Sequence, residues 1–193
     1  MSAITVEQTS GAVVGAAPVA TWAIDPVHSH VEFSVRHMMV STVKGQFTNV
    51  AGAIQFDETR LATSSVTATI DTASVTTFNE MRDQHLRTND FFNAERWPAI
   101  TFTSTRIEPA GEGRWQVHGA LTIRDVTRPV VLDTEYEGQG QDAYGKQRAG
   151  FTATTEINRK DFGVNWNAAL ETGGVALGDR VKITLHIAAV KRD

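Results

Sequence analysis

Val181-Lys182-Ile183-Thr184-Leu185-His186-Ile187 alternates apolar with polar residues without a break. A period of two sends successive side chains to opposite faces of a strand, so this stretch has one dry face and one wet face. The same period recurs along most of the chain. Val31, Phe33 and Val35 alternate with Glu32, Ser34 and Arg36, and Val66, Ala68 and Ile70 with Thr67, Thr69 and Asp71. Ile100 and Phe102, Trp115 and Val117, Val130, Leu132 and Tyr136, and Phe151, Ala153 and Ile157 follow the same rule. With Gln46 to Phe56 added, the pattern predicts about eight strands.

Turn signals separate these runs. Glu108-Pro109-Ala110-Gly111-Glu112-Gly113 and Gly138 to Gly145 read as hairpin loops, and Arg124 to Pro129 as a link with Pro129 at a strand start. Short connections favour antiparallel, up-and-down order. No βαβ rhythm is present, so the fold class is all-β, either a sandwich or a closed barrel. A barrel of about eight strands can be packed solid or can hold one small ligand. The inward residues mix large groups with small ones, and periodicity alone leaves both options open.

One segment departs from the strand pattern. Thr77-Phe78-Asn79-Glu80-Met81-Arg82-Asp83-Gln84-His85-Leu86-Arg87 predicts a helix. Thr77 and Glu80 have the spacing of a capping box. Phe78, Met81 and His85 share a face, and Asp83 and Arg87 have the spacing of an ion pair. A lone helix in a β-protein is expected to close the end of a barrel. His37-Met38-Met39-Val40-Ser41-Thr42-Val43-Lys44-Gly45 also breaks the alternation. It is expected to be a short helical turn at a barrel end or a pliable, methionine-bearing pocket wall.

The chain has 193 residues, 41% of them hydrophobic and 21% charged, which suits one globular domain. Residues 1–20 read as a flexible tail and 21–193 as the β-domain. Ala12 to Ala20 is apolar, but no Lys or Arg precedes it and Glu7 does, so a signal peptide is disfavoured and a cytoplasmic location is expected. The absence of cysteine excludes disulfides and thiolate metal sites. A net charge of −4 without a basic cluster argues against nucleic acid and against electrostatic docking to a membrane.

Six histidines invite a metal reading, with His28, His37 and His85 as a possible ligand set. No HExxH or carboxylate at a familiar spacing supports one. The simpler expectation is that His28 and His37 are hydrogen-bonded and that His30 and His186 face solvent. No Gly-x-Ser-x-Gly, phosphate loop or dinucleotide fingerprint is present, and Glu171-Thr172-Gly173-Gly174 reads as a flexible loop. No cofactor is expected.

Several landmarks then occur in order. Asp25, His28 and Phe33 run into His37-Met38, Ser41, Gly45 and Phe47, followed by Ile70, Ser74 and Val75. Arg82-Asp83-Gln84-His85-Leu86-Arg87 leads to Asp90-Phe91-Phe92, Trp97-Pro98 and Thr101-Phe102-Thr103-Ser104. Gly119-Ala120-Leu121-Thr122-Ile123, Val126-Thr127-Arg128-Pro129-Val130, Arg148-Ala149-Gly150-Phe151 and Ile157 to Gly163 complete the series. From about Thr21 to Arg192 the chain resembles the YceI-like family of bacterial lipid-binding proteins. The resemblance implies an extended, lipocalin-like antiparallel β-barrel, often dimeric. It implies non-catalytic binding of a polyisoprenoid, an isoprenoid quinone or a similar long-chain amphiphile in an apolar tunnel.

On this reading Phe33, Val35, Met38, Phe47, Ala68, Ile70, Met81, Leu86, Phe91, Phe102, Leu121 and Phe151 are expected in the wall. His37, Arg82, His85 and Arg87 are expected at a polar end, where a phosphate or quinone carbonyl accepts from them. Arg82, Asp83 and Arg87 could equally pin the helix to a strand end without any ligand. The alternatives are a histidine-bound metal enzyme and a solid-cored structural or stress-response module.

Overall fold

The computed structural model describes residues 20–57, 60–169 and 175–192. The expected tail, except Ala20, and the expected loop at Glu171 to Gly174 lie outside these residues. In chain order the elements are β1 (Ala20–Ile24), β2 (His30–His37), β3 (Ser41–Phe47), β4 (Val50–Phe56), β5 (Ser65–Asp71) and β6 (Val75–Thr76). They continue with α1 (Glu80–Arg87), β7 (Ala99–Gly111), β8 (Arg114–Ile123), β9 (Val126–Gln141), β10 (Gln147–Asn158) and β11 (Leu177–Lys191).

All pairings are antiparallel, and the sheet closes on itself. The ring runs β1-β4-β5-β7-β8-β9-β10-β11 and returns to β1 through Trp22 opposite Lys191, Ala23 opposite Val190 and Ile24 opposite Ala189. Beyond that seam β11 pairs with β2, and β2 and β3 continue to β6. β1 and β2 are thus two halves of one long strand along β11, broken at Asp25 to Ser29. β3 and β4 are likewise broken at Thr48-Asn49, and β5 and β6 at the 3-10 turn Thr72–Ser74. The result is a closed eight-stranded antiparallel barrel, as the resemblance implied and not the sandwich that periodicity also allowed, with three of its long strands interrupted.

The inward face of every strand is the apolar set read from the sequence. Val31, Ala68, Ile100, Phe102, Trp115, Leu132 and Ala153 are buried. The outward face carries the lysines, the carboxylates and most of the threonines, which suits an outer wall in water, while Thr134 and Thr155 line the interior. β7 and β8 meet in a tighter hairpin than expected, with only Glu112-Gly113 between them, and Gly113 has φ +65°. β8 and β9 are joined by Arg124-Asp125 alone, so Pro129 lies inside β9. It is tolerated there because β9 pairs with β10 only from Asp133 onward, leaving the proline outside that ladder.

The helix starts later than the capping-box spacing predicts. Asn79 is the N-cap, its side chain accepting from the Arg82 amide at 3.1 Å. Thr77 is drawn away by Asp83. The Asp83 carboxylate accepts from the Thr77 amide (2.7 Å), the Thr77 hydroxyl (2.5 Å) and the Thr76 hydroxyl (2.9 Å). Glu80 bonds Gln84 instead of the Thr77 amide. The expected pairing of Asp83 with Arg87 gives way to separate tasks, because Arg87 donates to the carbonyls of Ala73 and Val75 (both 2.9 Å). The stretch from His37 to Gly45 is not a helical turn but the β2–β3 connection and most of β3, and of its residues His37 and Val43 line the interior. Met38 and Met39 sit at φ +50° and +60° in the tight connection of the β2–β3 hairpin.

At the hairpin end of the barrel a charged network ties the β1–β2 break to β10. Arg148 donates to Asp25 at 2.6 Å and to Asp142 at 2.7 Å, and His28 Nδ1 lies 2.8 Å from Asp25. The hydrogen bond from Arg148, reinforced by His28, lowers the Asp25 carboxyl from 3.8 to about 2. A carboxylate with a depressed folded pKa stabilises the fold fully above its unfolded value and loses that contribution as pH falls through the folded value. Stability should therefore fall between about pH 4 and pH 2, and Asp25→Asn should flatten that loss while lowering stability at pH 7. Urea titrations of both proteins across this range provide the measurement.

Candidate functional site

The barrel encloses a cavity of about 440 Å³. Its volume lies within the range of about 300–1,000 Å³ common to small-molecule sites. It survives because the inward positions are unevenly filled. Ala68 and Ala153 bring only a methyl each to the wall. Gly119 allows the Phe102 ring to lie flat against the neighbouring strand, since a Cβ there would come within 2.3 Å of Phe102 Cζ. Gly45 does the same for Phe33, whose Cζ would be 2.4 Å away.

Aromatic residues gather towards both ends. At the hairpin end Phe56 meets Trp115 edge-on at 4.9 Å, and Tyr136 lies 5.5 Å from Phe151. At the helix end Phe47 contacts Phe33 and Phe92, and His85 packs against Phe91 and Trp166 at 5.1 and 5.0 Å. The middle is lined by aliphatic groups of β5, β8, β10 and β11.

The ionisable side chains of the lining all sit at the helix end. They are His37 at the end of β2, Arg82 and His85 on α1, and Arg159 just after β10. No Asp or Glu lines the cavity among the described residues. Arg82 Nε donates to the Thr77 hydroxyl at 2.7 Å and Nη2 to the Thr77 carbonyl at 3.0 Å. Its Nη1 has no protein partner among the described residues. His85 Nε2 lies 2.8 Å from Asp90 Oδ2, which fixes the ring. Arg159 is buried and committed to the backbone, donating to the carbonyls of Val164 (2.7 Å), Trp166 (2.8 Å) and Gly178 (2.9 Å). Burial pulls its guanidinium below the usual value, and Asp179 partly opposes that. Arg159 therefore holds the returning segment against the barrel mouth and adds positive charge there.

Thirteen of the expected site residues line the cavity: Phe33, Val35, His37, Phe47, Ala68, Ile70, Arg82, His85, Leu86, Phe91, Phe102, Leu121 and Phe151. Met38, Met81 and Arg87 stand outside it. Met38 is 44% exposed in the β2–β3 connection, and Met81 is 82% exposed on the outer side of α1. Phe78, read on the same face as Met81, is 84% exposed. With only Met81 and Leu86 apolar, the phase of α1 is set by its polar anchors, chiefly the buried Asp83. Arg87 holds strand carbonyls and does not reach the cavity.

The histidines proposed as a metal set do not converge. His28 is in a turn with Asp25, His37 ends β2 and His85 is on α1. Sequence reasoning passed over Arg159, Phe92 and Trp166. Arg159 and Phe92 stood inside landmarks already noted, but Trp166 lies in irregular chain with no period to reveal it.

The structure defines a class, the closed antiparallel barrel with an apolar interior and a polar end, similar to lipocalins. The chain belongs to the YceI-like family, whose model, the YceI-like domain, matches residues 22–189. A UPF0312 protein of Vibrio cholerae is 36% identical over 179 residues, covering 92% of this chain and 90% of the relative. A UPF0312 protein of Staphylococcus aureus is 40% identical over 159 residues, covering 82% and 90%. Among solved structures, Burkholderia cenocepacia BcnA superimposes with a TM-score of 0.75 at 27% identity, covering 86% of this chain and 98% of that one. A polyisoprenoid binding domain from Saccharophagus degradans shares the fold with a TM-score of 0.65 at 15% identity, covering 91% and 100%.

Burial pushes the Asp83 carboxyl upward, but the hydrogen bonds from Thr77 and Thr76 outweigh this and hold it below the usual range. Replacing Asp83 with alanine leaves those donors without their acceptor. Loss of charged hydrogen bonds of this kind costs roughly 1.5–3 kcal/mol. Asp83→Ala should lower stability by about that amount in denaturant titrations. It should also increase hydrogen exchange selectively in α1, because the helix loses its main anchor to β6.

Proposed function

We propose that the protein binds an isoprenoid-type lipid without catalysis, as a carrier or store, with the tail in the barrel and the head group at the helix end. The observation that carries this reading is the one-sided distribution of charge in the cavity. Carbon lines most of its length, and Arg82, Arg159, His37 and His85 cluster at one end, with no Asp or Glu in the lining among the described residues. A polyprenyl phosphate or an isoprenoid quinone has the matching polarity, a long apolar chain ending in hydrogen-bond acceptors. The family membership and the polyisoprenoid-binding fold neighbour support the same choice.

Magnitudes explain why the polar end matters. Large ligands gain about 0.3 kcal/mol per heavy atom, so a twenty-carbon tail gains about 6 kcal/mol, a dissociation constant of tens of micromolar. A charged hydrogen bond at the head adds roughly 1.5–3 kcal/mol, a tenfold to hundredfold gain. Arg82 Nη1 and the His37 ring are the groups placed to supply it.

Organic extraction of the purified protein, followed by mass spectrometry, should release a long-chain isoprenoid lipid. Repeated preparations that release none, and that take none up from added lipid, would refute the proposal. Ala153→Phe, which fills the middle of the cavity, should reduce uptake at least about tenfold while circular dichroism stays that of a folded barrel. Arg82→Met should weaken binding of a polyprenyl phosphate about tenfold or more yet leave a matching polyprenyl hydrocarbon unaffected. Equal loss for both lipids would place the head group elsewhere.

A further inference from the structure

We propose a divalent transition-metal site on the outer wall of the barrel, formed by His30, Glu32 and His186. His30 and His186 are directly opposite each other in the β2–β11 ladder. Glu32 lies two residues beyond His30, so strand alternation puts it on the same outer face. The two imidazoles stack with centroids 4.9 Å apart and planes 28° from parallel. His30 Nε2 lies 3.4 Å from Glu32 Oε1, and one ligand atom from each of the three residues falls within 4.8 Å of the others.

The donors are free to bind. Glu32 has no Lys or Arg partner among the described residues, and His186 makes no hydrogen bond through its ring. Three other histidines differ, since His28, His85 and His118 each already face a carboxylate within 2.9 Å. Zinc takes nitrogen at about 2.0–2.1 Å, which needs the ligand atoms about 3.4 Å apart in a tetrahedron. Small side-chain rotations of half-exposed groups suffice to close the present gap, and the backbone need not move. Two imidazoles and one carboxylate suit Zn²⁺, Cu²⁺ or Ni²⁺ and do not suit Mg²⁺ or Ca²⁺, which prefer oxygen alone. The fourth position faces water.

The location gives the ion a task. β11 stops pairing with β2 at His186 and pairs with β1 from Ala189. An ion held by His30 and His186 would pin β2 to β11 beside the seam that closes the barrel. This inference is independent of what occupies the cavity.

The test uses full-length protein without a histidine tag, stripped of metal by chelator and titrated with Zn²⁺ by calorimetry. One ion per chain is expected, with affinity lowered at least about tenfold by His30→Ala and by His186→Ala and less by Glu32→Gln. His118→Ala serves as the control and should bind as the parent does. Zinc at about a hundred times its dissociation constant should raise Tm by roughly 5–10 °C. Should either histidine variant fail to fold, histidine ring resonances of the parent protein decide the matter, with zinc-induced changes expected at His30 and His186. Absence of a single site, unchanged affinity in His186→Ala, or changes centred on other histidines would overturn the proposal.

Discussion

Strand β11 carries the closure on which the rest of the molecule depends. Its first part pairs with β2 and its last residues with β1, while β10 pairs along most of its other side. The switch between partners falls at Ser29 and Ala188. The buried Ser29 hydroxyl donates to the Ala188 carbonyl and accepts from the Ala188 amide, at 3.1 and 3.0 Å. Together with the Asp25 amide, which donates to the same Ala188 carbonyl at 2.8 Å, that side chain satisfies the backbone where β1 ends and β2 begins, so the strand can break without opening the wall. Closure through β1 and β11 leaves the two-residue β6 as the end of the sheet, and so removes most of the exposed edge by which a long β-sheet aggregates. It also creates an interior that no second layer has to cover.

What fills that interior follows from residue size. Rings stand towards the two ends, and alanine, valine, leucine and isoleucine line most of the middle, so a central space remains between largely apolar walls. The wall is complete except beside β6, where only Val75–Thr76 continues the sheet before the chain leaves for α1. The helix covers this opening, and Asp83 locks it there through Thr76 and Thr77. The same anchoring delivers Arg82 and His85 to the cavity. Structural and binding roles are therefore neighbours on one turn of helix.

The strands were legible because alternation is a local property. A residue two positions along a strand returns to the same face whatever lies beyond it. The inward set read from Val181 to Ile187 and from Val31 to Val35 needed no knowledge of partners. The helix face was misread because its period is weak, with Met81 and Leu86 as its only apolar residues. Polar contacts from sequence-distant strands then decided its rotation. Met38 was misplaced for a related reason, since a methionine beside a strand end looks like wall until the hairpin turns it outward. The metal reading named His28, His37 and His85, whereas the pair that meets is His30 and His186, far apart in the chain and opposite in the ladder.

By itself the sequence determined an all-β chain, which side of each strand is dry, and the residue types available to a cavity. Those facts depend on side-chain period and on composition. Only the tertiary structure decided that the sheet closes through β1 and β11, that three long strands break, and that Arg82, His85, His37 and Arg159 share one end. Closure and convergence depend on register between distant strands, and register is set by the summed hydrogen bonds and packing of the whole ring. No local stretch holds that information.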